Sequence, residues 1–348
     1  MNTAPAYLNF RGDLPFWYSP FNDNDAVLLS ILTSVDFGDM ITEEMTLSRL
    51  ALKYKNTAIP DKRDSLFNEK ANLLYMMGSS KRFSNVKIAD YVKDIDYVNE
   101  KTFYGVVFHI NPFFDCIVFR GTDGTLISWK ENFNTLFESP TAGQSEAARY
   151  LKNHLGSAFK KYYVIGHSKG GNLAIYSSIN QDKKLIKRIK RIIVFDAPGF
   201  LDDITKNESY DLIKERLTTY VPKHCIVGNL LNPPFDKKYV NCVGKEVYQH
   251  DLFNWLLDTL SPSLTEPAPN LNDNLAAKLN AWVYSIPVEE RKEVIDELFS
   301  VFTKNGIDHI YNLLHLDLKR TIGIIMSATK FSSETRDFLS IIFKELKS

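Results

Sequence analysis

The chain has 348 residues, 44% of them hydrophobic and 24% charged, which excludes disorder over most of its length and leaves ample material for a core. Its 42 Lys and Arg balance 42 Asp and Glu, so no global field steers it toward nucleic acid or an anionic membrane. Three cysteines, Cys116, Cys225 and Cys242, without Cys-x-x-Cys spacing argue against a disulfide framework and a structural zinc site and fit a reducing compartment.

The first residues, Met-Asn-Thr-Ala-Pro, lack the basic, apolar and small-residue order of a secretory leader. No run approaches the ~18 apolar residues of a membrane span. The densest late run, Ile322 to Met326, is five long. A cytoplasmic protein without a transmembrane segment is expected. Leu14 to Phe21 then gathers Phe16, Trp17, Tyr18 and Phe21 around Pro15 and Pro20. Such a stretch is too apolar for a free terminus and too irregular for a helix. It either anchors the terminus to the domain surface or, in the sharper reading, lines or roofs an acyl pocket.

Val27, Leu28, Ile31, Leu32 and Val35 share one helical face behind the capping residues Asn22 to Asp25. Helical patterns continue to about Met77, and Ile88 to Val98 then switches to near-alternation, the period of a half-buried strand. Phe103 to Ile110 and Phe114 to Phe119, separated by Asn111-Pro112, read as a hairpin. Helices and strands alternate beyond it: helices near 126–137 and 144–155, strand 162–165, helix 170–179, and strands at 192–195 and 225–227. That order implies parallel βαβ crossovers, and the short apolar strands suit a sheet covered on both faces. Tyr239 to Val243 is also β-like. Pro262, Pro267 and Pro269 mark 261–270 as a linker that joins neither helix nor ladder. Helices follow at 275–284, 287–302 and after Ser332, with packing preferred to a membrane-surface role.

The chemistry is carried by Gly166-His-Ser168-Lys-Gly170, a Gly-x-Ser-x-Gly turn between an apolar strand and a helix. The turn is too tight for side chains at Gly166 and Gly170, and it would hold Ser168 Oγ exposed at its apex as a nucleophile. The plain alternative is a strand-to-helix turn with no catalytic role. Phosphate-cradling orders, Gly-x-x-x-x-Gly-Lys-Ser/Thr and Gly-x-Gly-x-x-Gly, are absent. Upstream, Phe119-Arg-Gly-Thr122 ends a strand and would offer the Thr122 N–H, opposite that of Lys169, as an oxyanion hole.

Phe119-Arg-Gly-Thr122, Trp129-Lys-Glu-Asn-Phe133 and Gly166-His-Ser-Lys-Gly-Gly-Asn-Leu-Ala174, in that order, resemble an uncharacterised bacterial α/β-hydrolase family related to class 3 lipases. The resemblance runs from about Asn9 to Trp255 and implies an esterase-like hydrolase. Class 3 lipases usually carry Leu where this chain has Lys169, whereas the bacterial family carries Lys. Its usual Trp-Lys-Glu-Asp ends here in Asn132.

In this fold the base lies C-terminal to the serine, leaving His224, His250, His309 and His315. His250, in Gln249-His-Asp251 beyond the last β-like run, is selected, and the resemblance places its Gln-His-Asp at this spot. His309 and His315 fall in helical periodicity, and His224 opens a strand. The acid selected is Asp196, directly after the 192–195 strand at the carboxyl edge of the sheet. Its alternative role is a turn cap before Pro198, with Asp202, Asp236 and Asp251 as substitutes. The resemblance to class 3 lipases implies an acid one strand later, and 225–231 contains none. His167 is expected to pack behind the site. The Lys169 ammonium is expected to be solvated or paired with an acid such as Glu131.

The sequence therefore predicts a three-layer α/β-hydrolase with a mostly parallel sheet at 88–260, a helical N-terminal extension at 1–87 and a helical C-terminal extension at 261–348. The expected activity is serine esterase or lipase-like hydrolysis of a small-molecule ester or lipid-like substrate by Ser168, His250 and Asp196. Thr122 and Lys169 hold the oxyanion, and no metal, cofactor or nucleic acid is called for. The sequence sets no oligomeric state. An amidase or thioesterase would use the same triad, and the rival of another class is a catalytically silent binding or regulatory protein on the same fold.

Overall fold

In the computed structural model eight strands form one sheet and lie side by side in chain order: β1 (Met45–Thr46), β2 (Lys87–Asp96), β3 (Lys101–Asn111), β4 (Phe114–Phe119), β5 (Lys161–His167), β6 (Ile189–Phe195), β7 (Leu217–Pro222) and β8 (Lys237–Val240). Strands β1 to β4 pair antiparallel. From β4 to β8 every pairing is parallel. The structure describes residues 3–57, 65–224, 226–231, 233–244, 246–268, 275–309, 324 and 330–346. Cys225, Pro269, Asn270, His315 and most of the 322–326 run lie outside them.

The helices are α1 (Ala4–Arg11), α2 (Asp23–Leu32), α3 (Leu47–Thr57), α4 (Ser65–Ser79), α5 (Leu126–Asn134), α6 (Ala142–His154), α7 (Lys169–Ile179), α8 (Lys183–Ile186), α9 (Tyr210–Lys214), α10 (Leu275–Ser285), α11 (Val288–Lys304) and α12 (Ser333–Leu346). The period of two along each strand sorts them into layers. Cys116, Val118, Ile165, Ile193 and Phe195 point to one face, where α1 to α4 bury Tyr7, Val27, Leu50 and Met77 against them. Their neighbours Ile117, Phe119, Val164, Ile192 and Val194 point to the other, against Leu151 of α6 and Leu173 of α7. Helix, sheet and helix in that order, with a strand-turn-helix at the centre, make the α/β-hydrolase fold. The C-terminal helices add a third apolar cluster, in which Leu298, Phe299 and Phe338 pack with Phe133 of α5. Among the described residues no helix is long and apolar enough to cross a membrane.

Local chemistry explains the boundaries. Asn22 caps α2 by accepting from the Asn24 and Asp25 N–H groups, and the Asp25 carboxylate accepts from the Asn22 N–H, a closed capping box. Helix α2 is buried along its whole length, so its acids need partners. Asp23 takes the Arg191 guanidinium at 2.5 and 2.8 Å and the Tyr220 hydroxyl at 2.6 Å. Asp25 takes Arg82.

Three sequence expectations give way. The strand expected at 225–227 is β7 at 217–222, and only a 3₁₀ turn follows, at Val227–Asn229. Pro222 ends β7, where its missing N–H breaks no ladder bond. His224 consequently sits in an exposed turn rather than opening a strand. The stretch after Ser261 does pair with the sheet edge, through an isolated antiparallel bridge between Val240 and Leu264: the N–H of Thr265 donates to Tyr239 O at 2.9 Å and that of Asn241 to Ser263 O at 2.8 Å. Finally, His309 is not helical. It bridges Thr125 in antiparallel fashion, and the Leu126 N–H donates to Asp308 O at 2.8 Å.

Candidate active site

Ser168 stands between β5 and α7 with φ 56° and ψ −129°, a backbone conformation rarely adopted by residues with a side chain. Its N–H donates to Phe195 O at 2.9 Å, tying the apex to β6. Two glycines make the turn possible. A Cβ on Gly166 would collide with the Gly170 carbonyl, and one on Gly170 with the Phe119 carbonyl. Gly121 belongs to the same packing, since a Cβ there would meet His167 O at 2.8 Å. The end of β4 is thus pressed directly against the Ser168 turn.

His250 and Asp196 meet. The imidazole Nδ1 donates to Asp196 Oδ2 at 2.6 Å, and Asp196 Oδ1 accepts from the Gly228 N–H at 2.9 Å. The carboxylate is buried and its residue is held at φ 43°. With Nδ1 committed to the acid, neutral His250 presents an unprotonated Nε2, the state a general base requires. The other candidates do not compete: Asp202, Asp236 and His224 are exposed, and Asp251 caps the 252–254 turn by accepting from Phe253 N–H at 3.0 Å.

The loop carrying His250 is fixed twice. Trp255, fully buried, donates its Nε1–H to Gln249 O at 2.8 Å. His167 donates its Nε2–H to the His250 carbonyl at 2.8 Å, with the two rings 4.6 Å apart. Burial, reinforced by the neighbouring His250, drives the His167 pKa down to about 3, so it stays neutral and keeps that donor. His167 does more than pack: it holds the backbone of the candidate base.

Lys169 is not solvated. Its Nζ donates to Thr102 O at 2.6 Å, to Thr102 Oγ1 at 2.7 Å and to Glu131. Glu131 also accepts from the Thr102 N–H at 2.6 Å and from the Gly143 N–H at 2.8 Å. Burial lowers the Lys169 pKa, and the Glu131 charge opposes the shift. The Trp-Lys-Glu stretch and the Ser-Lys stretch are therefore two halves of one buried contact. Among the described residues no carbonyl accepts from the backbone N–H of Thr122 or Lys169, and Thr122 Oγ1 is buried without a partner.

Ser168, His250 and Thr122 line one cavity of about 680 Å³, together with Trp129, Phe133 and Phe338. His309 lines it too, its ring against Gly124, where any Cβ would strike it. The helical spacing around His309 in the sequence gives no hint of this position. The N-terminal aromatics do not line this cavity. Phe16 packs edge-on against Phe83 and under Arg82, and Phe21 against Phe114 and Tyr163. Trp17 and Tyr18 are 84% and 68% exposed. Of the two roles expected for this segment the structure shows anchoring, carried by Phe16 and Phe21, while Trp17 and Tyr18 take no part in it. Among the described residues no group of three or more His, Cys, Asp or Glu could hold a metal ion.

A family profile described as Mbeg1-like matches residues 77–300. Among solved structures the chain is similar to M37 lipase, with 16% identity over 59% of this chain and 67% of that one and a TM-score of 0.34. It is also similar to a fungal lipase in complex with an inhibitor, with 13% identity over 63% of this chain and 78% of that one and a TM-score of 0.37. A search of the curated proteins finds no match.

Proposed function

The chain belongs to the Mbeg1-like family, and we propose that it is a serine hydrolase cleaving a carboxylic ester through an acyl-enzyme. The observation that carries this reading is Ser168 at a glycine-enforced turn, sharing a cavity with a His250–Asp196 pair bonded at 2.6 Å. His250 Nε2 takes the Ser168 proton as Oγ attacks the ester carbonyl. The carbonyl oxygen, now an anion, is met by the N–H groups of Thr122 and Lys169, which have no other backbone acceptor among the described residues. His250 then protonates the departing alcohol. Water, deprotonated by the same ring, releases the acid and restores Ser168. Asp196 keeps the ring in the Nδ1–H tautomer and stabilises its charged form.

One observation favours the silent-fold reading: among the described residues Ser168 Oγ makes no hydrogen bond to His250. Such bonds are often long in apo enzymes and tighten with substrate. Fluorophosphonate labelling decides between the readings. Stoichiometric modification of Ser168, absent in Ser168→Ala and accompanied by hydrolysis of p-nitrophenyl esters, is expected. An unlabelled wild-type protein would leave a binding role.

A further inference from the structure

The cavity around Ser168 has two unlike walls. One is apolar, built by Trp129, Phe133, Leu136, Leu231, Leu279 and Phe338, all members of or packed on the third core cluster. The other comes from α2, α4 and the end of β4 and includes Ser30, Ser34, Lys70 and Arg120. Arg120 lies on the α2 side, because Asp36, just past that helix, is held down in part by its charge.

Arg120 is half-buried, and the polar side chain set against it is the neutral Tyr91 hydroxyl, which cannot balance its charge. Among the described residues it forms no ion pair, its guanidinium rests over the Tyr104 ring at 4.6 Å, and its Nε is buried without a hydrogen-bond partner. Asp123 feels its charge. That carboxylate is nevertheless already filled by the Tyr104 hydroxyl at 2.6 Å, the Thr125 N–H at 2.9 Å and the Thr125 hydroxyl at 2.5 Å. Ser30 Oγ, on the same wall and in a residue only 5% exposed, is also buried without a partner. Buried polar groups left without partners are costly and uncommon, so a wall carrying one on the Arg120 guanidinium itself and one on Ser30 lacks an acceptor. A planar guanidinium is suited to phosphate and carboxylate oxygens, which it binds in bidentate fashion.

We propose that the cavity takes an amphiphilic ester, its apolar chain on the Phe133 and Phe338 wall and an anionic head group, phosphate or carboxylate, on Arg120 and Ser30, with Arg120 determining specificity. This deepens the ester-hydrolase reading and rests on it for the reaction, though not for the binding. Lys70 adds positive charge to the same wall. Thr122 stays with the reacting carbonyl.

Two measurements test the proposal. In Ser168→Ala protein, calorimetry compares decyl phosphate, decanoate and decanol. The anions should bind at least tenfold more tightly than the alcohol, and Arg120→Met should erase that preference, since a charge-assisted bidentate contact is worth about tenfold or more. In the active protein, kcat/KM is compared for 1-decanoyl glycerol 3-phosphate, decanoyloxyacetate and 1-decanoyl glycerol. The phosphate and carboxylate arms identify which head group is taken, and the ratio of the better one to the neutral ester should fall at least tenfold in Arg120→Met. Should Arg120→Met not fold, Arg120→Lys, which keeps the charge without the fork, and Ser30→Ala should each lower the same ratio severalfold. Equal binding of decanol and the anions, or a preference that survives in every variant, overturns the proposal. Arg120-dependent anion binding without turnover of any ester would instead sustain the head-group site and overturn the ester-hydrolase reading.

Discussion

The N-terminal helices and the Ser168 turn are each fastened by an ion pair sealed from water, Arg82–Asp25 in the first and Lys169–Glu131 in the second. In both pairs burial outweighs the partner's charge: Asp25 is pushed up and Lys169 down. Neither pair is therefore a cheap source of stability. They differ in what the cation grips. Beyond Asp25, Arg82 donates to the carbonyls of Leu14, Ser19 and Pro20, backbone of the irregular segment that Phe16 and Phe21 also anchor. Lys169 grips β3 and α5, and its own N–H lies next to Ser168. A buried pair thus fixes chain course in one region and the residue next to Ser168 in the other.

The widest separation between the two regions comes from the proposed triad. Ser168→Ala and His250→Ala should each lower kcat by about 10⁶-fold, with the double variant hardly worse, because catalytic groups acting as a unit are non-additive. The thermal midpoint should barely move, since neither side chain belongs to either pair. Substantial turnover in a contamination-free Ser168→Ala preparation would end the assignment. Asp196→Asn comes next, at about 10⁴-fold, the cost of losing the correct tautomer in a preserved geometry. A loss under tenfold would place the acid elsewhere.

The pairs themselves can then be broken. Arg82→Met and Lys169→Met should each destabilise by about 3–5 kcal/mol, as one buried charge is stranded. Only Lys169→Met should also lower kcat, by about 10²-fold, as its N–H drifts from the place a developing oxyanion would occupy. Chemical denaturation and steady-state kinetics on the same preparations measure both quantities. A larger kcat loss in Arg82→Met would collapse the distinction between the regions.

Much of this contrast is legible in the sequence, for a physical reason. Gly166, Ser168 and Gly170 are local signals, because a tight turn constrains residues two apart. Asn22 and Asp25 are equally local as a cap. Long-range partners carry no such spacing. Asp25 reads as a cap, and nothing in the sequence assigns it Arg82, 57 residues on. Strand β7 escapes notice because Leu217-Thr-Thr-Tyr-Val-Pro222 mixes polar residues and a proline into a covered strand. His309 reaches the cavity only through a bridge to Thr125, far away in sequence.

The smallest expected effect concerns Trp17. Its composition class suggested burial, yet it is 84% exposed, its ring 6.0 Å from that of Tyr18, and it does not line the Ser168 cavity. An exposed aromatic has little apolar area to lose, so Trp17→Ala should shift stability by no more than ~0.5 kcal/mol. Phe16 is the internal control. It lies over Arg82 at 4.2 Å and against Phe83 at 5.4 Å, so Phe16→Ala removes packing from the segment that Arg82 fastens. A loss of roughly 1–3 kcal/mol is expected, below the full cost of a core phenylalanine because the ring is only partly buried. Neither variant should change the relative kcat/KM across esters of increasing acyl length, since neither side chain borders the cavity. Equal stability losses for Trp17 and Phe16 would show that Trp17 is covered in solution. A shifted acyl-length profile for Trp17→Ala would return this segment to the substrate site and join the two regions that the buried pairs keep apart.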